Sequence, residues 1–591
     1  MSIASEITRI TDNVADAYTA ASAKGATMPV TQNSDNLAST VATIPTGVTP
    51  TGTKNITANG TYDVTNYASA DVQVPTTAPS YYMEYELDQN NSLIKVPSFP
   101  NLTGELEIGR NTFYYSFYNI TFPQNSSVDL SAVGVALEDS FAYCFGWDFD
   151  SVGSNLTSID LSGLETAYAR SFSHFCYKNP SVTTVDLSSF IQAEAQAFEY
   201  AFSGTSSVST GLTSFNLPSL TTVSGGAFKC VCQYNTNLTT VNLPSISTLA
   251  SIGATTEFFY MAFSNCSSLT NVTINNDLFS SGDVKYYNAF ASMFYRCTSL
   301  VNSPFTTVTK LNGSYVNPNS QTSSRGFTFS NMFNGCTSLV NTGLDNVTII
   351  SGYSVCSNMF VGCTSLTRTG LGKVEKIRHC ETNETNYGYN TCTQMFKDCT
   401  ALTDIELDSL KEVINGSSSS TGTTTGALNS MFQGCTALTI AKFPELETVG
   451  WRAFSSTFNG CTSLANVYFY ALNTTSFDSY TNQFNKMLSG VTGCTVHFPM
   501  RIQSTIGSWS DVTGGFGGTN TTVLFDIVTE LTGADSNTYI RKEKESTSTA
   551  TAWIYNDVIY YTSGTTEPAV SDTIYSDAAC TTPVTTISAI A

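Results

Sequence analysis

Basic residues are scarce in this chain. Its 591 residues hold 25 lysines and arginines against 46 aspartates and glutamates, a net charge of −21. No basic stripe is left to neutralise a run of phosphates, so nucleic acid and anionic membrane are not expected as partners. Histidine is scarcer still: only His174, His379 and His497 occur. None lies in HExxH, and GxSxG, Walker and Rossmann fingerprints are absent, so the chain reads as no enzyme. Paired carboxylates for glycoside hydrolysis need only spatial proximity and leave no motif. No apolar run reaches the roughly 18 residues of a membrane span, which excludes insertion. The opening MSIASEITRITDNVADAY has no basic stretch followed by an apolar one, so no secretory signal is expected. Charged residues make up only 12% of the chain. Hydroxyl and amide side chains take their place, a surface of the kind found on extracellular adhesins and fibre proteins.

What is present in abundance is repetition. MFYRCTSL (293–300), MFNGCTSL (332–339), MFVGCTSL (359–366), MFKDCTAL (395–402) and MFQGCTAL (431–438) are versions of one phrase. AFSNCSSL (262–269) and TFNGCTSL (457–464) continue it, and weaker copies precede it near 172, 201 and 227. Each unit carries L-x-x-I-x-L and then a second short apolar segment such as DSLKEV (408–413) or PELETV (444–449). Such a unit cannot bury its own apolar side and must stack on its neighbours. The leucine of TSL and the two strand positions are expected to point inward, with Met and Phe closing the opposite wall. Cys266, Cys297, Cys336, Cys363, Cys399, Cys435 and Cys461 share one phase and are expected as a buried ladder of free thiols. One thiol per coil, without nearby histidines, makes no tetrahedral zinc site. Asp148 and Asp150 lack an EF-hand's spacing. No metal or cofactor is expected.

These units resemble the BspA-like class of leucine-rich repeat over about 60% of the chain. The resemblance implies a mainly β protein built on a solenoid of about eleven irregular coils. Cysteine-to-cysteine spacing is wider and less regular than that class shows. The additional residues, such as 312–326, 381–390 and 415–426, fall at one phase just before Met-Phe. Insertions at one phase become loops along one edge.

Between the last two inward positions of L-x-x-I-x-L, one residue per coil faces outward. The row reads Asp160, Asp186, Asn216, Asn242, Thr273, Pro304, Gly343, Gly370, Glu406, Lys442 and Tyr468. Asp160, Asp186, Asn216 and Asn242, with Glu406 and Tyr468, are the candidate ligand-binding residues. The competing reading is that they merely solvate an exposed sheet. In the middle coils Ser303, Thr342 and Thr369 replace an inner apolar residue, so the strands there are expected to be weak.

The ends differ from the middle. Residues 1–50 are expected to form an anchoring segment with a helix from about Ile3 to Lys24, on which Ile3, Ile7, Ile10 and Val14 follow a heptad spacing. Isoleucine at both core positions favours trimers over dimers, so a homotrimer is expected; docking on another protein is the second reading. Residues 51–80 alternate as a β-hairpin module around Asn59-Gly60. Residues 81–134 form an entry region, 135–525 the solenoid with its cap, and 526–591 a small β domain with a hairpin turning at Asn556-Asp557. The stretches 24–45 and 53–75 resemble N-terminal segments of virion structural proteins of tailed bacteriophages. That resemblance implies a virion-surface protein whose N-terminus meets other virion proteins. Its solenoid or C-terminal domain would then meet a host surface glycan or protein. A tail fibre or receptor-binding protein is the first expectation, a head fibre or capsid decoration protein the second, and a bacterial cell-surface adhesin the third.

Overall fold

A computed structural model describes residues 106–148, 154–250, 256–276, 288–313, 327–378, 390–414, 426–473 and 482–591 except 565. It also describes 14–22, 26–28, 32 and 37, and the backbone of four strands between 53 and 98. The protein is a mainly β solenoid of stacked repeat coils followed by a small closed barrel. Each coil has three walls around one apolar core that runs without a break from Ile108 to Phe516.

The first wall is the file of L-x-x-I-x-L strands. Ser126–Asp129, Leu156–Asp160 and Thr184–Asp186 pair in parallel, as do Ser214–Asn216, Thr240–Leu243 and Asn271–Ile274. In the middle coils the file is reduced to single bridges, Asn302 with Asn341 and Arg368 with Asp404. It resumes at Ile440–Phe443, Asn466–Phe469 and Thr495–Pro499. This is the interruption expected from Ser303, Thr342 and Thr369. Their hydroxyls take over the linkage between coils: Thr342 Oγ1 donates to the Thr369 carbonyl at 2.8 Å, and Thr369 Oγ1 to that of Ile405 at 2.7 Å.

The second wall is a parallel sheet of short strands, from Leu106–Ile108 to Thr248–Ala250 and again from Lys310–Asn312 to Thr448–Val449. The insertions at 312–326, 381–390 and 415–426 all join the end of this sheet to the start of the third wall. Their described flanks thus lie at one phase of the coil.

The third wall is a ribbon of turns. Alternate residues donate to the next coil, as Phe329, Asn331, Phe333 and Gly335 do to Val355, Ser357, Met359 and Val361. The residues between them close turns three positions back, Met332 onto Phe329 and Asn334 onto Asn331. Every fourth residue then sits in the left-handed region, for example Ser354, Asn358 and Gly362 at φ 48°, 58° and 69°. That explains the glycine of the NGC and VGC phrases, since glycine adopts this region without steric penalty.

Two phenylalanine ladders line the inside of the ribbon. One stacks Phe113 through Phe141, Phe172, Phe198, Phe228, Phe259 and Phe290 to Phe329, with centroids 5.0–5.9 Å apart. It begins inside the stretch expected as an entry region. The other runs from Phe263 to Phe458 at 5.2–5.9 Å. Each such ring contributes roughly 1.5–3 kcal/mol by burial. The cysteine ladder lies beside the second. Cys266 donates to the Cys232 carbonyl, and each later thiol donates back to the phenylalanine carbonyl one coil earlier, as Cys363 to Phe333, Cys399 to Phe360 and Cys435 to Phe396, all at 3.2 Å. Burial raises these thiols far above their usual range, Cys336 and Cys461 to about 12.

Glu530–Gly533 begins a closed six-stranded barrel that ends at Ile590. Ala550–Tyr555 and Val558–Ser563 form the expected hairpin, with Asn556 and Asp557 both at positive φ. Trp553 is fully buried there, its indole N–H on Thr562 Oγ1 at 2.9 Å. Near the N-terminus one expectation is corrected. Thr53–Ile56 pairs with Ser69–Val72 in parallel, so these strands form no hairpin; residues 57–68 are long enough for a crossover. Residues 14–22 are helical, and Val14 packs with Tyr18 against Leu37 of its own chain. Ile3, Ile7 and Ile10 lie outside the described residues. Among the described residues no helix is long and apolar enough to cross a membrane.

Candidate functional site

Two residues beyond each inward phenylalanine of the first ladder, or its equivalent, the ribbon places a residue on its outer side, although Cys230 and Ser430 in this row are buried. The row reads Tyr115, Tyr143, His174, Tyr200, Cys230, Met261, Ser292, Asn331, Asn358, Gln394, Ser430, Ser456 and Lys486, every one at φ between 51° and 59°. The backbone demands the left-handed region at this place in every coil, and asparagine tolerates that conformation better than a bulky side chain does. The first coils nevertheless place rings there. Tyr115 stacks on Tyr143 at 4.5 Å and 10°, Tyr143 on His174 at 4.4 Å and 11°, and His174 on Tyr200 at 5.0 Å and 23°. Tyr114 and Tyr118 set their edges on Tyr115, and Tyr177 on His174. Tyr114 and Tyr115 remain 47% and 42% exposed.

Polar groups border the rings at the first coil. The Tyr118 hydroxyl donates to Asp148 at 2.6 Å, Lys178 Nζ donates to the same carboxylate at 3.1 Å, and the Asp148 N–H donates to Asn119 Oδ1 at 2.7 Å. The Tyr118 hydrogen bond, and then Lys178, hold the Asp148 carboxyl below its usual value. Burial raises the phenols of Tyr115, Tyr118 and Tyr143. Burial also depresses His174 to about 4, and its Nδ1 lies 2.9 Å from Ser173 Oγ. The file from Tyr115 to Tyr200 is therefore uncharged at neutral pH, bordered by the Lys178–Asp148 pair at 3.1 Å and the Lys229–Glu199 pair at 3.4 Å. Such a surface offers ring edges, phenolic hydroxyls and an amide, which suits a neutral polyhydroxylated ligand better than a charged one.

The expected ligand-binding residues lie elsewhere, in three places on the strand file. Asp160 and Asp186 are adjacent and in register, and so are Asn216 and Asn242. Their hydrogen bonds are local. Asp160 Oδ1 accepts from the Ser162 N–H and Asp186 Oδ1 from the Ser188 N–H, both at 2.9 Å, and Asn242 Nδ2 donates to Asn216 Oδ1 at 2.7 Å. The aspartates thus fix the turn that ends each strand. Glu406 accepts from Arg368 at 2.7 Å and from the Gly370 N–H. Tyr468 stacks on His497 at 4.3 Å, and His497 Nδ1 lies 2.9 Å from Asp526. Among the described residues no group of three histidine, cysteine or acidic side chains is placed to hold a metal. Sequence patterning singles out the strand face rather than the aromatic row. Its signal is the spacing F-x-Y or F-x-H in FYYSFY (113–118), FAYCF (141–145), FSHFCY (172–177) and FEYAF (198–202).

No protein-family model matches the chain, and no curated protein is significantly similar to it. Among solved structures, the chain is similar to a leucine-rich repeat protein from Bacteroides ovatus, at 14% identity and a TM-score of 0.28, over 76% of this chain and all of that one. A circular leucine-rich repeat protein, CroV588, is matched at 11% identity and a TM-score of 0.10, over 71% of this chain and 81% of that one. Scores this low carry no argument about function, and the repeat architecture rests on the coils themselves.

Proposed function

We propose that this chain is an adhesive surface protein that holds a neutral saccharide against the aromatic row of its first coils. The observation that carries this reading is the stacked file Tyr115–Tyr143–His174–Tyr200, built on a backbone that later coils fill with serine, asparagine and glutamine. Adjoining hydroxyls and amides can pair with sugar hydroxyls, while the exposed rings of Tyr114 and Tyr115 give apolar surface for a pyranose to pack on. The solenoid acts as a stiff arm, since each coil is fixed by its neighbours.

The resemblance of segments 24–45 and 53–75 supports carriage on a bacteriophage particle, as a tail fibre or receptor-binding protein. A head fibre or decoration protein would use the same anchor. In either role Ile3, Ile7 and Ile10 would bring three copies together, with Val14 partly committed to Leu37 of its own chain. The test is a host-cell binding assay of the Tyr115→Ser, Tyr143→Ser, Tyr200→Ser triple variant, with the solution mass of the full chain measured alongside. Loss of binding at unchanged mass and melting temperature supports the reading. Full retention of binding would move the contact surface elsewhere.

A further inference from the structure

The barrel docks on the solenoid through Arg541, whose guanidinium lies 4.9 Å over the Tyr470 ring and is held by Glu543 and Glu567. Beside that contact, a cleft of about 250 Å³ is left between the two parts. Three lysines converge on it, Lys411 from the second wall of the solenoid and Lys542 and Lys544 from the barrel, beside three glutamates, Glu375, Glu445 and Glu545. In a chain with 25 basic residues and a net charge of −21, that convergence is a local exception. Among the described residues Lys411 and Lys542 are held only by long ion pairs. Lys411 lies 3.8 Å from Glu375 and Lys542 lies 3.8 Å from Glu445, both beyond hydrogen-bond range. Lys544 Nζ donates to Ser409 Oγ at 2.6 Å, and that hydroxyl is itself held by the Gly372 carbonyl. An ammonium group has three donors, so each of these lysines has N–H groups to offer a ligand.

We propose that this cleft binds a sugar acid, a pyranose carrying a carboxylate. The ammonium groups supply donors for the carboxylate. Glu375 and Glu445, each in a 3.8 Å ion pair, supply acceptors for ring hydroxyls, and Ile554 and Ile559 supply an apolar floor for a ring face. An inorganic anion would satisfy the lysines and leave the glutamates facing negative charge. A neutral sugar would do the reverse. The site lies where two folding units meet, a frequent place for a small-molecule pocket. It shares no residue with the aromatic row, so it stands or falls independently of the adhesion reading.

The experiment is calorimetric titration of the full chain with sodium glucuronate, glucose and inorganic phosphate in parallel. Glucuronate is expected to saturate a site with about ten-fold higher affinity than glucose or phosphate. The Lys542→Gln, Lys544→Gln variant is expected to lose most of that affinity, while the three-tyrosine variant keeps it. If the double variant melts early, Lys544→Gln alone is read instead, because that side chain is exposed. Absence of saturation, equal affinity for phosphate, or unchanged affinity in the lysine variants would each overturn the proposal.

Discussion

The first coils and the middle coils of this solenoid bury the same things and expose different ones. Between Phe113 and Tyr200 the strand file pairs in register and the outer ribbon row is aromatic. Between Phe290 and Phe396 the strand file shrinks to isolated bridges, and the same ribbon row is Ser292, Asn331, Asn358 and Gln394. Yet the middle coils are those whose repeat phrase is easiest to read. Met-Phe-x-x-Cys reports how a coil packs inward, and it is silent about the face shown to a partner. Inward positions are tied to neighbours on both sides at crystal-like density, so their identities hold from coil to coil. Outward positions carry no such constraint, and chemistry can vary there.

The comparison can be broken at its core, at its ladder and at its margin. Phe360→Ala removes a ring stacked between Phe333 and Phe396 and is expected to cost about 3–5 kcal/mol in guanidinium unfolding. A loss below ~1 kcal/mol would mean that the middle coils are not held by this ladder. Cys399→Ala is expected to cost about 1–2 kcal/mol, through a small void and the lost bond to the Phe360 carbonyl. Cys399→Ser should cost less than alanine, because a hydroxyl can donate to the same carbonyl. Serine proving worse than alanine would show that the position values an apolar atom over a donor.

The smallest effect is expected in the first coils and depends on pH. His174 is held at about 4 by burial between Tyr143 and Tyr200, beside Ser173, against roughly 6.5 in an unfolded chain. From pH 6.5 down to 4 the unfolded chain takes up a proton that the folded one refuses, so stability falls across that window and is flat above it. His174→Tyr should melt with a shallower dependence over the same range. Parallel melting curves for the two proteins would place the imidazole in contact with water.

Much of this was legible in the sequence where a residue's role repeats. The phase shared by Cys266 through Cys461 gave the buried ladder, and Ser303, Thr342 and Thr369 gave the interruption of the strand file. The turn at Asn556-Asp557 gave the C-terminal hairpin. The strand-face residues Asp160, Asp186, Asn216 and Asn242 were correctly placed in their file, but their hydrogen bonds could not be read. An aspartate that accepts a backbone N–H two residues on has the same spelling as one that waits for a ligand. At Asn59-Gly60 local turn chemistry suggested a hairpin, and the parallel pairing of Thr53–Ile56 with Ser69–Val72 prevailed.

By itself, then, the sequence determined the repeat, its inward positions and the phase at which its insertions fall. Each of these follows from periodicity, which is a local property of the chain. Only the tertiary structure decided that the ribbon holds every fourth residue in the left-handed region. It alone decided that Tyr115, Tyr143, His174 and Tyr200 form one stacked file, and that Lys411 faces Lys542 and Lys544 across a cleft. Those juxtapositions join residues tens to more than a hundred positions apart. They are set by the stacking of coils and the docking of the barrel, which no short stretch of sequence encodes.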